Sequence, residues 1–338
     1  MPAPRTCPRL ILFLAACLWP SVAAGEAAPP LFEVPVACAI GSACVVQNYI
    51  DHEPGPGARD QTCGPLTYDG HRGVDFRLPS ARAMAAGVAV LAAAAGTVLR
   101  VRDGEPDISF RDRGETAVHG REAGNGVVID HGGGWHSQYS HLRQGSIAVA
   151  PGQRVEAGAR LGLIGLSGKT EFPHLHFSIR HHGRILDPYT GLAPEGGCGR
   201  PGTPLWSAAA LKVLAYRAGG LLDHGFATGP LDFEAALGPE LPRPPDPRAP
   251  GLVYWVAAWG LRAGDREELR VTGPEGTTIG AWSGTLEADK AQSLRYTGRR
   301  RRGETWPPGT YRGTYRVTRE VDGRQTLVIN SQRKIGLR

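Results

Sequence analysis

Leu175, Phe177 and Ile179 alternate with His174, His176 and Ser178, a period of two that predicts a half-buried β-strand. The two imidazoles then share a face, with Cα atoms roughly 6.5–7 Å apart. That is too far for them to bond each other but close enough for both rings to converge on one small object such as a metal ion. Similar patterning recurs along the chain. Residues 124–142 read as two short strands joined by the glycine hairpin Gly132-Gly133-Gly134, with His141 on the second. Residues 87–104 and 147–165 read as further short strands separated by Gly and Pro-Gly turns. Beyond residue 200 the apolar spacing becomes helical over Leu205–Tyr216, and residues 239–250 form a proline-rich, extended linker. From Gly251 onward short alternating segments predict a small β-sandwich, immunoglobulin-like in outline.

The chemistry sits on these predicted strands. His71 and Asp75 lie four residues apart, about 13 Å on a straight strand, so they can share an ion only if the chain bends between them. Gly73 is the residue that permits a bend. Imidazole nitrogens with one carboxylate oxygen are a ligand set typical of catalytic zinc, in which the fourth position is left to water.

The ordered set His71-x-x-x-Asp75, Tyr139-x-His141-Leu142 and Pro173-His174-Leu175-His176-Phe177 resembles the lysostaphin-type zinc endopeptidases that cut peptidoglycan cross-links. The resemblance covers roughly residues 64–190. It implies that His71, Asp75 and His176 hold one zinc ion, and that His141 and His174 position water and stabilise the transition state. It also implies an antiparallel β-sheet peptidase domain. The fold expected is therefore mainly β: a lysostaphin-like sheet, a short helical and proline-rich segment, and a C-terminal β-sandwich. The divisions read as a leader over 1–24, an N-terminal extension with a disulfide loop over 25–63, a zinc peptidase over 64–200, helix and linker over 201–250, and an accessory sandwich over 251–338.

Composition and cysteines add the compartment. The chain opens with Arg5 and Arg9, runs apolar from Leu10 to Leu18 and then reaches the small residues Ser21–Gly25, which reads as a secretory signal. Leu14-Ala15-Ala16-Cys17 also fits a lipidation pattern, so membrane attachment is expected only through Cys17. Losing Arg5 and Arg9 takes the formal charge from +6 to about +4, a mild basic excess that favours an acidic polymer such as a cell wall. The 47 glycines and 28 prolines imply many turns and few long helices. Cys38, Cys44, Cys63 and Cys198 remain after the leader, an even number in an exported chain with three possible pairings. The pairing expected is Cys38 with Cys44 and Cys63 with Cys198. Localisation follows as exported, in a bacterial periplasm or cell envelope.

The activity that these residues imply is zinc-dependent hydrolysis of peptidoglycan cross-links. A catalytically silent regulator or binding module for cell-wall hydrolases is an alternative, although non-cutting relatives generally lack some of the five residues present here. A zinc carboxypeptidase or protein-directed metallopeptidase would share the metal chemistry. Peptidoglycan is the expected partner, with a regulatory protein of unknown identity possible and no nucleic acid. Residues 26–63 read as a short strand, a closed turn and a polar loop; a sharper reading has Asn48 or His52 reaching the zinc as a latency ligand. Residues 105–123 read as a loop beside the groove. His119, His131, His136, His181, His182 and His224 read as surface polar groups, and Arg299–Arg302 as a solvated run able to grip an anion.

Overall fold

A computed structural model describes residues 1–3 and 28–338. The leader and the lipidation site at Cys17 fall on residues 4–27, outside the described residues. Ten strands make up the first part of the fold: β1 (Val45–Asn48), β2 (Val74–Arg77), β3 (Ala89–Leu91), β4 (Gly96–Arg102), β5 (Asn125–Gly132), β6 (Trp135–Leu142), β7 (Arg154–Val155), β8 (Arg160–Leu163), β9 (His174–His181) and β10 (Arg184–Leu186). The long antiparallel sheet runs β1-β2-β9-β6-β5-β4-β7, with β10 also paired to β9, while β3 and β8 form a separate ribbon.

The predicted alternation in β9 is what seats this sheet. Leu175, Phe177 and Ile179 are fully buried, each worth about 1.5–3 kcal/mol relative to an exposed side chain, and they hold the His174/His176 face up. Beneath them lie Phe32 and Trp206, joined by a short bridge, with Trp206 stacked on Phe177 at 5.4 Å. The N-terminal segment is therefore part of the core, and β1 is the edge strand against β2. Cys38–Cys44 closes its turn, and Cys63–Cys198 ties the entry of the sheet region to its exit.

The remaining strands are β11 (Gly220–Ala227), β12 (Gly251–Leu261), β13 (Arg266–Thr272), β14 (Thr278–Thr285), β15 (Lys290–Arg300), β16 (Gly309–Val321) and β17 (Arg324–Leu337). They form a three-stranded sheet β11-β12-β15 and a four-stranded sheet β14-β13-β16-β17, which enclose a core that includes Tyr254, Val256, Leu269, Val271, Tyr311 and Tyr315. Every residue of β12 is buried. Its Trp255, Ala257 and Trp259 belong to the same buried cluster as Phe177 and Trp206, while the alternate residues face the sandwich.

Segment 201–250 differs from its reading as helix and linker. The helix spans only Ala208–Val213, capped by the Ser207 side chain, and the glycine-bounded run Gly220–Ala227 is a strand paired along β12. The proline-rich stretch is pinned at both ends, because Arg82 donates to the Gly238 and Glu240 carbonyls and Trp306 donates to those of Pro247 and Ala249. Among the described residues no helix is long and apolar enough to cross a membrane.

Candidate metal centre

Register builds the site. Asp75 on β2 lies directly opposite His176 on β9, and Arg77 opposite His174, so the carboxylate and both imidazoles share the upper face. His71 comes from the turn before β2. Its Nε2 lies 3.1 Å from Asp75 Oδ1 and 3.1 Å from His176 Nδ1, and His176 Nδ1 lies 2.9 Å from Asp75 Oδ1. Three ligands around a tetrahedral ion at ~2.0–2.2 Å stand about 3.3 Å from one another, a spacing of the same size. These three residues could hold a metal ion.

The neighbours leave the lone pairs pointing inward. His71 Nδ1 donates to the Tyr49 carbonyl at 2.6 Å, which assigns its proton to the outer nitrogen and leaves Nε2 as an acceptor. Asn48 Nδ2 donates to Asp75 Oδ2 at 2.9 Å, occupying the outer carboxylate oxygen. Asn48 is thus a support for the ligand, not a latency ligand. His52 is turned away, with Nε2 2.7 Å from Asp187 Oδ2, and neither residue joins the metal-binding group. Deleting residues 26–60 would remove both Asn48 and Tyr49, and with them the supports of Asp75 and His71. Gly73 matters for space: a Cβ there would meet the His176 ring at 2.5 Å and the Phe177 carbonyl oxygen at 2.7 Å.

His141 and His174 stand beside this group with ring centroids 4.6 Å apart. His174 Nε2 is 3.5 Å from Asp75 Oδ1, while its Nδ1 lies 3.0 Å from the Phe172 carbonyl. His141 closes β6 at φ +62°, a left-handed conformation costing about 1–3 kcal/mol. Its amide donates to the Ala123 carbonyl at 3.0 Å, its own carbonyl accepts from Gly165 at 3.0 Å, and Nδ1 donates to the Ser167 carbonyl at 2.7 Å. Both rings therefore present Nε2 to the open face.

Electrostatics separates the two sets. Burial would raise the Asp75 carboxyl, but the adjoining His71 and His174 imidazoles outweigh it and hold the group well below the usual carboxylate range. Burial pushes His71 down, and the Asp75 carboxylate more than reverses this. His141 is held well below the ordinary imidazole value, first by burial and then by His174 and His176. His174 is lowered by burial against the pull of Asp75. Burial thus favours the neutral form of both rings, beside an ionised carboxylate.

Sequence reading missed Asn48 as a support, the Tyr49 carbonyl and Arg77. Arg77 is 2% exposed, donates to Gln47 and Gln292 and lies 4.1 Å from the Phe172 ring centre. Its place two residues after Asp75 on the same strand face was the available signal. Histidines outside the group are engaged structurally: His131 with the Ala95 carbonyl and Ser137, His181 stacked on Trp135, and His224 with Tyr254.

Residues 69–188 match the description Peptidase family M23. This segment is an M23 domain of the lysostaphin type. All five residues of the site lie inside it, whereas Asn48 and Tyr49 lie upstream. The chain is 40% identical over 72 residues to the peptidoglycan DD-endopeptidase ShyA of Vibrio cholerae, covering 21% of this chain and 16% of that protein. It is 34% identical over 102 residues to the cell division protein DipM of Caulobacter vibrioides, covering 29% and 16%. The chain therefore spans a small part of the length of these curated relatives. Among solved structures, a zinc containing peptidase from Vibrio cholerae aligns with 27% identity and a TM-score of 0.30, covering 47% of this chain and 39% of that one.

Proposed function

We propose that this chain is a zinc-dependent endopeptidase that hydrolyses peptide cross-links of bacterial peptidoglycan outside the cytoplasm. The observation that supports it most is the convergence of His71 Nε2, Asp75 Oδ1 and His176 Nδ1 within 3.1 Å of one another, with two further imidazoles alongside. Two imidazoles and one carboxylate fit a single zinc ion with an open position. When bound, zinc supplies Lewis-acid polarisation of the scissile carbonyl and acidification of water.

The chain's own groups supply the rest. His141 and His174, each with Nδ1 at a backbone carbonyl, turn Nε2 toward the metal group, where it can accept a proton and return it to the leaving amine. The Asn48 and Tyr49 contacts keep Asp75 and His71 oriented. The M23 match, the relative named as a peptidoglycan DD-endopeptidase and two disulfides typical of exported proteins support the same reading. Mass spectrometry of purified peptidoglycan incubated with the zinc-loaded chain tests it. The expected result is cross-linked stem peptides converted to uncross-linked ones without chelator and left joined with it; intact cross-links in both samples would overturn it.

A further inference from the structure

The open face of the long sheet continues past the metal group. Pairing carries that face from His176 across to Ser140, and from Ser178 across Gln138 and Val128 to Arg100 on β4. Strands stand about 4.8 Å apart, so the face spans ~14 Å from β9 to β4. A trough of about 270 Å³ lies on it, lined among others by Arg100, Arg102, Gly126, Val128, Gln138 and Ser140. Its floor is bare at Gly126, where a Cβ would meet the Tyr139 carbonyl oxygen at 2.4 Å.

Arginines dominate this face. Arg180 is half-buried on β9 and donates to Gln138 and Ser178, both neutral. Burial first, then the nearby charges of Arg100 and Arg72, holds it below its ordinary value. Arg100 is exposed, and among the described residues no carboxylate forms an ion pair with it or with Arg180. Two acids share this face: Asp75 is engaged in the metal group, and Asp130 accepts from the Gly132 amide and lies 3.9 Å from His136. Cations gathered without a counter-ion repel one another, and a guanidinium fork matches a carboxylate.

We propose that Arg100 and Arg180 form a carboxylate-binding subsite of the groove, so that the peptide cut at the metal group carries a free carboxylate a few residues from its scissile bond. This rests on the peptidase reading. Arg180 lies four positions along β9 from His176, about 13 Å, and its side chain shortens that gap by ~6 Å, leaving ~7 Å, the reach of about two extended residues.

Equilibrium binding to the chelator-treated full chain tests the subsite without requiring turnover. The probes are acetylated, amidated alanine pentapeptides with one glutamate at successive positions, each paired with its glutamine counterpart. At one position glutamate should bind about tenfold tighter than glutamine, as a charge-assisted hydrogen bond implies. The difference should shrink with added salt and vanish in an Arg100→Gln/Arg180→Gln chain. Equal binding of every pair by the unaltered chain, no binding of any peptide, or a preference that survives the double substitution would overturn the proposal. A chain that selects glutamate yet leaves every peptidoglycan cross-link intact keeps the subsite and removes the peptidase reading.

Discussion

Asp265 in the C-terminal sandwich and Asp75 in the long sheet are both buried carboxylates, at 0% and 1% exposure, yet their partners differ in kind. Asp265 meets donors only: Arg319 Nε and Nη2, each at 2.7 Å, and the Arg262 amide at 2.8 Å. Glu267 beside it accepts from Tyr315 and Arg295. Charge there is closed internally, and the pair holds strands together. Asp75 instead turns one oxygen to Asn48 and the other to the nitrogens of His71, His174 and His176 at 2.9–3.5 Å. The His71 proton lies on the far side of its ring, on the Tyr49 carbonyl. Lone pairs that converge in a dry place call for a cation from outside. One region buries charge for stability, and the other keeps a place for chemistry.

Substitutions should separate the two regions. Asp75→Ala should abolish both zinc retention and peptidoglycan cleavage while leaving a folded chain, as read by metal analysis and circular dichroism; cleavage at the unaltered rate would break the contrast. Arg319→Ala should do the reverse. It strands a buried carboxylate and should cost about 3–5 kcal/mol of stability with one zinc still bound to the folded protein, measurable by denaturant titration.

Smaller effects lie within the site. His141→Ala and His174→Ala should each lower kcat by on the order of 10² while zinc content stays unchanged, and loss of zinc in either would move that residue into the ligand set. Asn48→Ala should weaken zinc affinity by about 10–100-fold, read by competition with a chromogenic chelator; an unchanged affinity would make that contact merely structural. The mildest effect is in pH. Burial lowers the pKa of His141 and His174, so their neutral forms persist as pH falls. The acid limb of kcat should therefore lie below the ordinary imidazole value of about 6.5, and a limb at or above it would contradict the burial argument.

The centre was legible because its residues carry their geometry in their spacing. His174 and His176 alternate with Leu175 and Phe177, and that pattern alone places both rings on one face. Gly73 was legible only as a special position. Sequence suggested a bend, whereas the structure requires the absence of a side chain against the His176 ring. Asn48 carries no local signal, since its role arises only when β1 pairs with β2. The strand β11 was hidden for a similar reason: its pairing partner β12 lies 24 residues later in the chain.

Anomalous diffraction at the zinc edge, on crystals of the zinc-loaded chain, tests the central claim most directly. The account predicts one peak about 2.0–2.2 Å from each of His71 Nε2, Asp75 Oδ1 and His176 Nδ1, with His141 and His174 outside bonding distance. A stoichiometric peak elsewhere, or one bonded to a different set of side chains, would contradict it.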